Sequence, residues 1–310
     1  MRQRGADTGR RRRWPSRRLS FPKYGRVISH VLVREGAVVA SDGDAADVPW
    51  WSFTKTVLAA AALALARDSR LALDEPLPRR PYTLRQLLQH RAGLTEYGRL
   101  PAYHEAVERN EDAWPADEML ARAAADRLVY EPGKGWGYSN IGYYFVRRLI
   151  EQTTNRTLGD ALDHLVLRPL GVAGVHFAAD RTHYSPDYDP RWVYHGLLVG
   201  PIVQAALTLQ RLLAGDLLPP PLLSAMCDRY RVGGPIAGRP WKAPCYGLGL
   251  MIGETTGGEL IAGHTGGGPG SAVAVYHRLD RPNGTAAAFE AGGDDAAVEG
   301  ACMTLLRTRP

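Results

Sequence analysis

A chain of 310 residues is long enough to bury a substantial core, and 45% apolar and 23% charged residues are ordinary for a globular protein. The net charge of +6 is local: eight arginines and Asp7 within residues 1–18 give +7, which leaves −1 for the remaining 292 residues. The body is therefore near neutral and the basic pI says nothing about an active site, and the arginine arm, with Trp14 as its one interleaved aromatic, is read as a disordered, solvated tail (1–22) or an over-extended start of the reading frame rather than a nucleic-acid arm.

Within that arm Ser16–Phe21 resembles a twin-arginine signal, but Pro22-Lys23-Tyr24-Gly25-Arg26 follows in place of an apolar stretch. The longest apolar run, Thr56–Ala66, is well short of the roughly 20 residues a membrane span needs. Cys227, Cys245 and Cys302 are odd in number and widely spaced, so they give no disulfide framework and no CxxC metal site. A cytoplasmic protein without cofactor or metal is the expectation.

Val27–Val33 and Ala37–Ala40, joined by Arg34-Glu35-Gly36, read as a β-hairpin. The TVLAAAALALA run that follows carries Ala and Leu on every face and predicts a buried helix. Ser52-Phe53-Thr54-Lys55 stands at its head, and residues three apart on a helix are neighbours, so the Lys55 ammonium reaches the Ser52 hydroxyl. Lysine is scarce here, four among 38 basic residues. A second Ser-x-x-Lys, Ser20-Phe21-Pro22-Lys23, serves as an internal control, because Pro22 in an unpatterned basic stretch opposes a helix.

The middle of the chain predicts helices. Thr83 with Gln86 forms a capping box opening residues 84–90, with Gly93 as a stop. Residues 115–126 have a helical pattern. Ile141, Phe145 and Leu149 mark residues 141–152, where Asn140 could be an N-cap only. Thr157 caps a helix ending before Pro169, and 203–213 is another. Residues 180–192, rich in Asp, Tyr and Pro, read as loop. Strands are expected at 246–252, 259–262, 272–277 and 285–289, with a closing helix over 294–307. Gly266, Gly267, Gly268 and Gly270 could build the turn into the strand at Ala272. Strands at both ends of the chain belong most simply to one antiparallel sheet, which predicts an α/β (α+β) fold. The sheet unit then comprises 23–75 plus 240–310, and 76–239 is a mostly helical insert.

A serine hydroxyl needs a neighbouring base to attack a carbonyl. Lys55, buried at the start of an apolar helix, loses part of its preference for the charged form, and Tyr138, a phenol close to an ammonium, is a second proton carrier. A helix N-terminus at Ser52 supplies partial positive charge where an oxyanion develops.

Ser52–Lys55, Thr83–Leu94 (TLRQLLQHRAGL), Glu131-Pro132-Gly133 leading to Tyr138-Ser139-Asn140, Arg168–Gly171, Tyr246–Gly249 and Gly263–Gly267 together resemble the serine β-lactamase and penicillin-binding protein superfamily. The resemblance is to its class C β-lactamase, D-alanyl-D-alanine carboxypeptidase and esterase branch, and it runs from about Val27 to the C-terminus. It implies an antiparallel sheet flanked by helices, Ser52 as acylated nucleophile, Lys55 and Tyr138 as the proton-transfer pair, and Asn140 as a substrate contact. It also implies an oxyanion hole from the main-chain N–H groups of Ser52 and Gly267, on the strand of His264 and Gly266. His90 matches a position that looks architectural.

Two departures qualify this. His264-Thr265-Gly266 stands where β-lactamases have Lys-Thr-Gly, and an imidazole holds a carboxylate less strongly than a fixed ammonium. Only the arginine arm precedes Val27, so one sheet face is expected to be bare or covered by a partner. An α/β-hydrolase elbow fails at Ile141, Gly133-Lys134-Gly135 lacks the spacing of a phosphate loop, and no paired histidines suit zinc. The expected activity is hydrolysis of small esters or amides, with esterase ahead of D-amino-acid peptidase and β-lactamase third. An acyltransferase or a catalytically silent ligand-binding relative is the alternative.

Overall fold

The structure is a computed structural model that describes residues 28–43, 47–281 and 284–308. The arginine arm, its twin-arginine-like segment, the Ser20–Lys23 control and Val27 lie outside the described residues.

The chain opens with the expected hairpin, β1 (Ile28–Arg34) and β2 (Ala37–Asp42), turned at Glu35 and Gly36 with φ of 47° and 80°. After β3 (Asp47–Pro49) a 3-10 turn, Trp51–Phe53, feeds α1 (Thr54–Arg67), in which every residue from Thr54 to Leu65 is buried. Helices α2 (Leu84–Leu88), α3 (Pro101–Glu108), α4 (Ala116–Arg122), α5 (Asn140–Thr154) and α6 (Leu158–Leu162) follow. Then come β4 (His176–Phe177), β5 (Leu198–Pro201), α7 (Ile202–Ala214) and α8 (Pro220–Cys227). The chain closes with β6 (Tyr230–Arg231), β7 (Trp241–Tyr246), β8 (Met251–Thr255), β9 (Leu260–Gly268), β10 (Ser271–Arg278), β11 (Thr285–Ala291) and α9 (Asp295–Arg307).

Eight strands form one sheet in the order β2-β1-β11-β10-β9-β8-β7-β6, antiparallel at each pairing, so the two ends of the chain meet at β1 and β11. Its faces are covered differently because β10 alternates. Val273 and Val275 join the large core with α1 and α7, whereas Ala272, Ala274 and Tyr276 pack with Val298, Cys302, Met303 and Leu306 of α9. The bare face expected from the sequence is therefore covered by α9 across β9, β10, β11 and β1. The edge strand β2 is exposed along its whole length. No helix among the described residues is long and apolar enough to cross a membrane.

Several boundaries differ from expectation for identifiable reasons. The strand expected over 246–252 is split by a turn, because Gly249 has φ +77° and a Cβ there would come within 2.4 Å of Ala59 Cβ and 3.1 Å of Lys55 O. This close approach seats α1 against the sheet. The helix expected over 84–90 keeps its capping box, Thr83 N to Gln86 Oε1 at 2.9 Å and Gln86 N to Thr83 Oγ1 at 3.2 Å, but stops at Leu88 as His90 turns to φ +58°. Similarly, the helix over 115–126 ends by Ala124, at φ +48°. Gly266, Gly267 and Gly268 lie inside β9, not in a turn. The N-cap of α5 is Ser139, whose Oγ accepts from Gly142 N at 3.1 Å, so Asn140 is not the cap.

Candidate active site

Ser52 lies in the 3-10 turn before α1, still three positions ahead of Lys55, and the Lys55 Nζ is 3.1 Å from Ser52 Oγ. The preceding residue, Trp51, has φ +39°, a left-handed value that is costly for a bulky residue. Two contacts hold it there: its Nε1 donates to Ser271 Oγ at 3.0 Å, and its ring lies on Gly268, where a Cβ would come within 2.4 Å. Tyr184 and Tyr188 of the 180–192 loop stand edge-on to the same indole, with ring centroids 5.9 and 5.8 Å away.

Gly266 is as tightly placed. A Cβ at this position would fall 2.4 Å from Ser52 N, so only glycine lets β9 approach the main chain of Ser52. β8 pairs with β9 only from Leu260 to Gly263. From His264 onward β9 pairs with β10 alone among the described strands, which leaves its other edge facing Ser52. Gly267 is exposed on that segment.

Tyr138 arrives from the segment before α5, and its hydroxyl donates to Ser52 Oγ at 3.0 Å. His90 places it. The His90 carbonyl accepts from Gly137 N at 3.0 Å, its Nδ1 accepts from Ser139 N at 3.1 Å, and its ring stacks on Tyr138 with centroids 4.3 Å apart. The Lys55 Nζ also lies 5.1 Å from the Tyr138 ring centroid. Serine, lysine and phenol thus converge, with Ser52 and Tyr138 partly exposed and Lys55 fully buried. Burial lowers the Lys55 pKa to about 7, against a smaller upward pull from Glu96.

Three residues of the site escaped the sequence reading. His195, in an apolar stretch (WVYHGLLV) that marks it only as a buried histidine, sets its Nε2 3.1 Å from Lys55 Nζ. Burial above all, with Lys55 next, pushes its imidazole well below the ordinary value, so it stands neutral beside the amine. Glu96, a lone acid in a loop, accepts from Asn140 Nδ2 and Gly98 N, both at 2.8 Å, and from Asn140 N. Asn140 is therefore oriented by a carboxylate whose own pKa burial raises. Trp51 is the third, since nothing in its sequence neighbours signals a left-handed residue.

His264 is buried on the same face of β9 as Gly266. Its Nδ1 lies 2.7 Å from Thr265 O, and a carbonyl only accepts, so Nδ1 carries the proton; Nε2 faces the Tyr246 hydroxyl at 2.9 Å. Thr265 points to the opposite face, where its Oγ1 donates to Glu299 Oε1 at 2.6 Å. No cluster among the described residues could hold a metal ion.

Several known proteins are similar to this chain. Esterase EstB of Burkholderia gladioli is 32% identical over 151 residues, which is 41% of this chain and 38% of EstB. A D-aminopeptidase of Brucella anthropi is 26% identical over 242 residues, 73% of this chain and 45% of the relative. The match thus spans less than half the length of either relative. Among solved structures, a D-stereospecific amidohydrolase from Streptomyces sp. superposes with a TM-score of 0.74 at 23% identity, covering 89% of this chain and 93% of that one. The D-amino acid amidase of Ochrobactrum anthropi gives 0.74 at 19% identity over 90% and 92%. The family model described as Beta-lactamase matches residues 48–299, a span that reaches from just before Ser52 to Glu299 behind β9, and the chain accordingly belongs to this family of the serine β-lactamase and penicillin-binding protein superfamily.

Proposed function

We propose that the protein hydrolyses small esters or amides through an acyl-enzyme at Ser52. The observation that carries this reading is the placement of Ser52 Oγ 3.1 Å from Lys55 Nζ and 3.0 Å from the Tyr138 hydroxyl, beside the free edge of β9.

In acylation, Ser52 Oγ attacks the carbonyl carbon as its proton passes to the neutral amine of Lys55. The carbonyl electron pair moves to oxygen, where the main-chain N–H groups of Ser52 and Gly267 stabilise it. Collapse breaks the bond to the leaving alcohol or amine, and Tyr138, on the open side of Ser52, delivers the proton to that group and is reprotonated from Lys55. Water repeats the sequence on the acyl-enzyme, releases the acid and restores the Ser52 hydroxyl. Asn140, fixed by Glu96, contacts the bound substrate, and His264 lines the base of the site.

Esters rank first, amides of D-amino acids second and β-lactams third. EstB, at 32%, has the highest identity of the relatives named above, and the structural likeness to D-amino acid amidases supports the second rank. The test is a panel of p-nitrophenyl esters, a D-alanyl peptide and a chromogenic cephalosporin. Turnover of the esters that disappears in Ser52→Ala supports the reading, and turnover that survives that substitution defeats it.

A further inference from the structure

We infer that residues 264–268 engage the substrate through main-chain groups only, and that the substrates are esters or amides whose leaving portion bears no carboxylate. This rests on acylation at Ser52 and names the substrate class of that site.

Each side chain on the segment is spoken for. The imidazole of His264 is engaged at both nitrogens, by the Thr265 carbonyl at 2.7 Å and the Tyr246 hydroxyl at 2.9 Å. Were the ring protonated, Nδ1 would keep the Thr265 carbonyl and Nε2 would donate to the Tyr246 hydroxyl, so neither N–H would be left for a substrate anion. Thr265 projects to the far face of the sheet by strand alternation and is held in a buried network there. Its Oγ1 is 2.6 Å from both Glu299 Oε1 and the Tyr276 hydroxyl, and Glu299 also receives Arg239 Nε at 2.7 Å and Trp241 Nε1 at 3.2 Å. Turning this hydroxyl toward a substrate would strip a buried carboxylate of a donor. Gly266 and Gly268 have no side chains, and no room for any.

Charge points the same way. The Lys55 Nζ is taken up by Ser52 and His195. Arg147, which acts electrostatically on His195, is tied to Glu151 Oε1 at 3.0 Å and Tyr194 O at 3.2 Å. The carboxylate of Glu96 stands 2.8 Å from the Asn140 amide that would meet the substrate. An anionic leaving portion gains no fixed cation from these groups and is repelled by Glu96, whereas a neutral one can bond to the strand edge as an added strand would.

The test uses the full chain and two aryl acetates, 3-acetoxybenzamide and 3-acetoxybenzoate, which share the acyl group and differ in a carboxamide or a carboxylate on the leaving ring. Each kcat/KM is divided by the spontaneous hydrolysis rate, and Ser52 acylation is followed by mass spectrometry. The expected result is a preference of tenfold or more for the carboxamide, diminished at high salt. His264→Lys should narrow it, and a failure of that variant to fold would leave the wild-type ratio as the deciding number. Equal or better use of the carboxylate through an acylated Ser52 overturns this inference and leaves the hydrolase reading standing. Absence of Ser52 acylation by either ester overturns both.

Discussion

Lys55 and His195 meet at 3.1 Å, the same distance that separates Lys55 from Ser52, so the amine lies between the Ser52 hydroxyl and a neutral imidazole. The imidazole accepts a hydrogen bond from the ammonium formed when Lys55 takes the serine proton. Replacing it by an apolar ring removes that support for the charged form. His195→Phe is expected to lower kcat about tenfold or more, the lower range of positioned acid-base effects, and to move the acid limb of the pH profile downward. His195→Gln, which keeps a carbonyl acceptor, should restore much of the rate. An unchanged kcat and limb in His195→Phe would remove the imidazole from the proton path.

The pH dependence has a definite sign. Burial lowers the Lys55 pKa to about 7, and in the proposed mechanism the proton acceptor is the neutral amine, so kcat/KM should rise with pH through about 7 and level off above it. Loss of activity as pH rises through 7 would mean that the ammonium is the working form. Lys55→Ala and Tyr138→Phe should each cost about 10² or more in kcat, measured with a p-nitrophenyl ester.

Gly266→Ala tests the seating of the nucleophile. The added methyl would fall 2.4 Å from Ser52 N, so either β9 or the Trp51–Phe53 turn must shift. A displacement near 1 Å costs about 10² in rate, and the expected loss is of that order with the fold retained by circular dichroism. Wild-type kcat in this variant would show that the contact does not govern Ser52.

Much of this arrangement was legible because it follows local chemistry. The Ala and Leu run made α1 certain to be buried, and the i to i+3 spacing put Lys55 beside Ser52 without knowledge of the fold. The capping box of Thr83 and Gln86 was equally local. The unread parts depend on residues distant in the chain: His195 reaches Lys55 only because β5 follows it and pairs with β3, next to α1, and Glu96 meets Asn140 across 44 positions. The turn that splits 246–252 exists because α1 presses on Gly249, a contact no strand periodicity encodes.

Behind the strand, Glu299 is fully buried and paired with Arg239, whose pKa the carboxylate raises against the opposing effect of burial. Glu299→Ala leaves that guanidinium without its main partner and should destabilise the protein by about 3–5 kcal/mol, read as a loss of urea midpoint at constant slope. Glu299→Gln should cost less. A midpoint unchanged in Glu299→Ala would show that Glu299 contributes nothing to holding α9 against the sheet.

The most direct measurement is intact-mass and peptide-mapped analysis of the protein quenched during turnover of a slowly deacylating p-nitrophenyl ester. One acyl group per chain, mapped to the peptide containing Ser52, absent from Ser52→Ala and slow to form in Lys55→Ala, is the predicted result. An acyl group on any other residue, or ester turnover persisting in Ser52→Ala, would contradict it.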